Sequence, residues 1–86
     1  MPKLPSDIIR RVANEFPAEL NAEIIHSLEP FEPRVARCIL HLAAGNISKF
    51  RHNCEIAHQD PRDVMYWAEY DENAKQIHDF QRPFSQ

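Results

Sequence analysis

Two cysteines and five histidines carry most of the reactive chemistry this chain could offer, and four of them fall into two short pairs. Cys38 and His41 are three residues apart and Cys54 and His58 four apart, spacings that on helices put both members of a pair on one face. If the two helices ran antiparallel, the pairs could present four sulfur and nitrogen ligands to zinc. The neighbouring residues point elsewhere. Cys38 adjoins Ile39 and Leu42, and Cys54 lies between Phe50 and Ala57, settings in which a free cysteine behaves as a small buried hydrophobe. The spacing also matches no common zinc module. The expectation is no metal and no cofactor, with a zinc site on Cys38, His41, Cys54 and His58 as the alternative reading.

Nucleophilic catalysis needs a thiolate in an electropositive setting with a base beside it. His52 and His58 flank Cys54, but no sequence signature ties them together, and His26, His52 and His78 read as surface histidines. Arg62, Asp63, Glu69 and Asp71 form a second polar group on or beside the last helix. Asp63 already has a sufficient role near the positive end of a helix, and solvation accounts for the others. No enzymatic activity is expected.

Charge is unevenly distributed along the chain. Residues 1–51 hold seven cations and six anions, whereas residues 52–86 hold three cations and seven anions. Between Glu32 and Glu55 there is no acid at all, while Arg34, Arg37, Lys49 and Arg51 are present. Arg34, Arg37 and His41 form a stripe at helical spacing that could attract an acidic protein surface, a phosphorylated ligand or nucleic acid. It could equally receive the chain's own acidic C-terminal third, with Glu69, Asp71, Glu72 and Asp79. With a pI of 5.9 and only four clustered cations, nucleic acid is not the expected partner, and a nucleic-acid-binding helical protein is kept as a further alternative.

The string Leu40-His41-Leu42-Ala43-Ala44-Gly45-Asn46 resembles the Leu-His-x-Ala signature of ankyrin repeats. Such repeats need several stacked copies to bury a continuous core, and this chain has one, so no repeat array is expected. A helix-turn-helix reading of the same region also lacks its recognition face, because Lys49, His52 and Glu55 are a weak basic surface.

The elements that must position these residues are helical. One glycine against seven prolines suits helices punctuated by proline rather than hairpins, which use glycine at their turns. Helix 1 is expected from a Ser6 cap to about Phe16, burying Ile8, Ile9, Val12, Ala13 and Phe16. A second helix is expected from Pro17 to about Leu28 with Leu20, Ile24 and Leu28 inward, followed by a loop from which Phe31 plugs back. Helix 3 begins near Pro33 and stops at Gly45, carrying Val35, Cys38, Ile39 and Leu42. Asn46 caps helix 4, which runs to about Gln59 with Ile47, Phe50, Cys54 and Ala57 inward, so helices 3 and 4 should form an αα-hairpin. Asp60-Pro61-Arg62-Asp63 opens helix 5, which ends near Tyr70 or Asp71.

Helix 5 holds too much apolar surface for one face. Val64, Trp67 and Ala68 define its expected core side, with Tyr66 and Tyr70 on one flank and Met65 on the other. Aromatic and methionine side chains are enriched in interface cores, so Met65, Tyr66, Trp67 and Tyr70 are the expected partner-binding residues, together with Arg34 and Arg37.

With 86 residues, 43% hydrophobic and 27% charged, one folded domain is expected. The expectation is an all-α compact bundle of about five short helices with a central αα-hairpin, spanning residues 1–80, and a flexible tail at 81–86. Met1 to Asp7 has no apolar signal-peptide core, and no apolar run nears the length of a membrane span, so a cytoplasmic location with two free thiols is expected. The expected function is a small non-catalytic protein–protein interaction or regulatory module whose partner includes itself.

Overall fold

The fold follows from five segments that each bury one face, the first four of which are stopped by a following proline or a left-handed turn. The computed structural model describes residues 4–84, and among these the helices are α1 (Ser6–Glu15), α2 (Ala18–Leu28), α3 (Pro33–Ala43), α4 (Ile47–Gln59) and α5 (Pro61–Glu69). The expected all-α bundle with a central α3–α4 hairpin is what forms. No helix among the described residues is long and apolar enough to cross a membrane.

Proline and asparagine or aspartate set the starts. α1 and α2 differ from the sequence expectation by one position: Pro5 and Pro17 occupy the caps, with extended ψ values of 151° and 148°. Neither cap has a side-chain hydrogen bond, so Ser6 lies inside α1 instead of capping it. The proline carbonyls begin the ladders, accepting from the amides of Ile8 and Ile9 in one case and Leu20 in the other. α4 and α5 start as expected: Asn46 accepts from the Lys49 amide at 3.0 Å, and Asp60 accepts from the Arg62 amide at 3.0 Å. α3 stops because Ala44 (φ 48°) and Gly45 (φ 79°) both turn left-handed. At Gly45 a Cβ would also stand 3.3 Å from the Glu15 carbonyl oxygen, so the end of α1 packs directly on this turn.

α3 is the central element, touching α1, α4 and α5. Its Val35, Ala36, Cys38, Ile39, Leu40 and Ala43 are all buried. Around it gather Ile8, Val12 and Phe16 of α1, Ile24 and Leu28 of α2, Phe50 and Cys54 of α4, and Val64 of α5. Phe16 and Phe50 meet edge to face at 5.9 Å, and Phe31 packs on this core with its ring 4.7 Å from that of His58. Ala13, expected inward on α1, is exposed.

Beyond α5 the chain is irregular but well bonded. The Asp71 carboxylate accepts from the amides of Asn73 and Lys75, closing a loop that returns the chain to an isolated bridge between Tyr70 and Gln76. From there a strap, residues 77–84, lies back over the bundle. Two ion pairs hold it. Glu69, wholly buried, takes both arms of the Arg34 guanidinium, with Nε at 3.0 Å, and accepts from the Phe80 amide at 3.1 Å. Arg37, only 4% exposed, donates from Nε to Asp7 at 2.9 Å and from Nη2 at 3.2 Å, while its Nη1 donates to the Phe80 carbonyl at 3.0 Å. The Phe84 amide donates to Asp7 at 3.0 Å. Residues 81–84, expected as part of a flexible tail, are thus in contact with α1 and α3; residues 85 and 86 of that tail lie outside the described residues, as do residues 1–3.

Two outcomes follow from this network. Removing the Glu69 carboxylate leaves Arg34 and the Phe80 amide unpaired, so Glu69→Ala should lower unfolding free energy in urea by about 3 kcal/mol, the scale for breaking a buried pair. Burial alone would raise the Asp7 pKa, but the Arg37 hydrogen bond, the Phe84 amide and the Arg37 charge outweigh it and hold Asp7 below its ordinary 3.8. A carboxylate whose pKa falls on folding contributes stability above its unfolded value and loses it as pH drops through the folded one. Urea midpoints measured from about pH 5 down to about pH 2 should therefore fall more steeply in the native chain than in Asp7→Asn.

Candidate functional site

The face that α5 turns outward is the candidate site, and its exposure follows from the Glu69 pair. At about 100° per residue, Val64, Ala68, Met65 and Glu69 fall within roughly 140° of arc, leaving Tyr66, Tyr70 and Trp67 on the other side. Burying Glu69 against Arg34 rotates the core face toward Met65. Val64, Ala68 and Glu69 are buried, Met65 is half-buried against the core, and Trp67 is 52% exposed with Tyr66 at 48%. This corrects the expectation that Trp67 shares the core side with Val64 and Ala68. The hydrophobic pattern alone favours Trp67 inward, but a bidentate carboxylate–guanidinium pair outweighs it.

Tyr66 and Tyr70 stack on each other, centroids 5.4 Å apart and planes 10° from parallel. Trp67 forms one wall of a shallow groove of about 430 Å³ between α3, α4 and α5, which Leu42, Ser48, Lys49, His52 and Asn53 complete. Sequence reading places Trp67 and Tyr66 in this site but misses the α4 side of the groove. The only linear sign of it is Lys49 and His52, three residues apart on the face opposite Phe50.

The other expected binding residues are committed elsewhere. Arg34 and Arg37, expected to be open to a partner, serve the chain's own acids, because Glu69 and Asp7 reach them first within the fold. The Glu69 hydrogen bond raises the Arg34 pKa, keeping the guanidinium charged. Of the polar group considered for catalysis, Arg62 pairs with its own cap residue Asp60 at 3.1 Å, Asp71 closes its loop, and Glu69 is buried in its pair. They do not converge on one cleft.

The two Cys/His pairs also diverge. Cys38 packs with Ala68 and Phe80, and Cys54 belongs to the main core. His41 faces His78 at 4.8 Å and His58 faces Phe31. Among the described residues, no group of three or more His, Cys, Asp or Glu side chains is placed to hold a metal ion. Burial, with the nearby Glu69 carboxylate, pushes the Cys38 thiol up to about 12, and burial pushes Cys54 up to about 11. No family profile, curated protein or solved structure matches this chain.

Thiols this far above neutrality contain almost no thiolate near pH 7, and thiolate is the reactive form. A disulfide reagent that reports free thiols should label neither Cys38 nor Cys54 rapidly in the folded chain and both at once in denaturant. Fast labelling of either under native conditions would show that its helix opens readily.

Proposed function

We propose that this protein is a small non-catalytic protein–protein interaction or regulatory module that self-associates through the aromatic edge of α5. The observation that carries the reading is the half-exposed Trp67 beside an apolar groove, on a helix whose opposite face packs on the core through Val64, Ala68 and Glu69. A tryptophan at the rim of a concave surface is the residue type that dominates association energetics, because it removes a large apolar area from water when covered. An 86-residue domain has limited core area of its own, so covering such a surface also adds to its stability.

A second copy suits this edge on charge grounds. Lys49 and His52 border the groove, and the exposed Glu72 lies just beyond the end of α5. The basic rim of the groove and this acid are of opposite sign, which a two-fold arrangement can match base to acid on each side of an aromatic centre. Arg34 takes part indirectly, by fixing through Glu69 the rotation of α5 that presents Trp67, whereas Arg37 ties α1 to the strap.

Sedimentation velocity from about 5 µM to about 500 µM, the range that reads weak dimers, should show a concentration-dependent shift to dimer. Trp67→Ala should weaken the dimer about thirtyfold or more, the scale of a hot-spot truncation, with the helical circular dichroism signal unchanged. A chain that stays monomeric throughout, or a Trp67→Ala variant that dimerises as well as the native one, would overturn the reading.

A further inference from the structure

The strap closes a second cleft, which shares no lining residue with the α5 groove and is independent of its role. The cleft has a volume of about 480 Å³ and is walled by α1, α3 and residues 77–84. What gathers there is unusual for a chain with a net charge of −3. His41 of α3 and His78 of the strap stand 4.8 Å apart, Arg11 of α1 lies over the Phe84 ring at 4.4 Å, and Arg82 opens onto the same space.

The cations keep donors to spare. Arg11 uses its Nε for Glu15 at 2.6 Å, and among the described residues its two terminal amino groups make no hydrogen bond. Arg82 is held only loosely to Asp79, at 3.6 Å on an exposed side chain. The facing charges on His41 are Arg11 and Glu15 from α1 and His78 from the strap. Burial, then His78 and Arg11, lower its pKa, with Glu15 opposing, so the local field disfavours a proton there until an anion arrives. The remaining walls are Ile77, Pro83 and Phe84 over the buried Phe80, which packs edge to face on Phe84 at 5.9 Å and on His41 at 5.0 Å; the one acid lining the cleft among the described residues is Asp79, which faces Arg82.

We propose that this cleft is a binding site for a phosphate monoester with an apolar organic group, its oxygens facing His41, His78, Arg11 and Arg82 and its organic part resting on Ile77, Pro83 and Phe84. Guanidinium and imidazole groups supply donors for the oxygens, and the apolar side chains of Ile77, Pro83 and Phe84 supply the surface that a bare phosphate cannot use. Binding takes up protons, because the arriving negative charge favours the protonated His41 imidazole that burial, and then the neighbouring cations, disfavour.

Isothermal titration calorimetry on the full chain tests this. At about pH 6, phenyl phosphate should bind about tenfold or more tightly than inorganic phosphate, the factor that covering about 50 Å² of apolar surface supplies. Benzenesulfonate keeps a fixed charge, so its affinity isolates the protein's titration, and it should weaken about fivefold between about pH 6 and about pH 8. His78 is exposed, so His78→Asn should leave the thermal midpoint unchanged and weaken phenyl phosphate about tenfold or more, the worth of one hydrogen bond to a charged group. The proposal is overturned by no detectable binding of phenyl phosphate, by equal affinity for inorganic phosphate, by pH-independent benzenesulfonate binding, or by a His78→Asn variant that binds as tightly as the native chain.

Discussion

The structure hinges on the buried carboxylate of Glu69. A charge without solvent requires several partners at once, and Glu69 finds them in the two arms of Arg34 and the amide of Phe80. Its own backbone carbonyl accepts from the amides of Ile77 and His78. One residue thereby fixes α5 on α3, sets the rotation of α5 about its axis, and anchors the returning strap. Such a pair contributes less to net stability than apolar burial of the same volume would, but it is specific: alternative rotations of α5 strand either the carboxylate or the guanidinium.

Asp7 and Arg37 repeat the arrangement one turn along α3, joining α1 to the same strap through the Phe84 amide and the Phe80 carbonyl. The two arginines of the basic stripe are therefore struts. They tie the first and last described segments to the central helix, which gives a chain with a small apolar core a closed arrangement of its ends. Both surfaces assigned roles above depend on these struts, since one presents Trp67 and the other folds the strap into the wall of a cleft.

Much of the helical plan is legible in the sequence because it rests on local chemistry. Asn46 and Asp60 cap, Pro33 and Pro61 open helices, and Gly45 takes a left-handed turn, each for reasons confined to a few neighbouring residues. The small errors are local too: Pro5 rather than Ser6 caps α1, and Pro17 caps α2 instead of being its first residue, so each helix differs from expectation by a residue at its start. The candidate site is only half legible. Tyr66, Trp67 and Tyr70 stand out as surplus aromatic surface, whereas Leu42, Ser48 and Asn53 become part of the same groove only when α3, α4 and α5 pack together.

By itself the sequence determined where the helices lie, which faces of α1 to α4 are chiefly apolar, and that an acid-rich C-terminal third follows a base-rich centre. Only the tertiary structure decided that Glu69 is buried and Trp67 half-exposed, and that Arg34 and Arg37 face inward. The physical reason is that hydrophobic periodicity ranks residues by their cost in apolar surroundings taken singly. Glu69 and Arg34 are 35 positions apart, and a carboxylate becomes an interior residue only when its partner arrives from another helix at hydrogen-bonding distance.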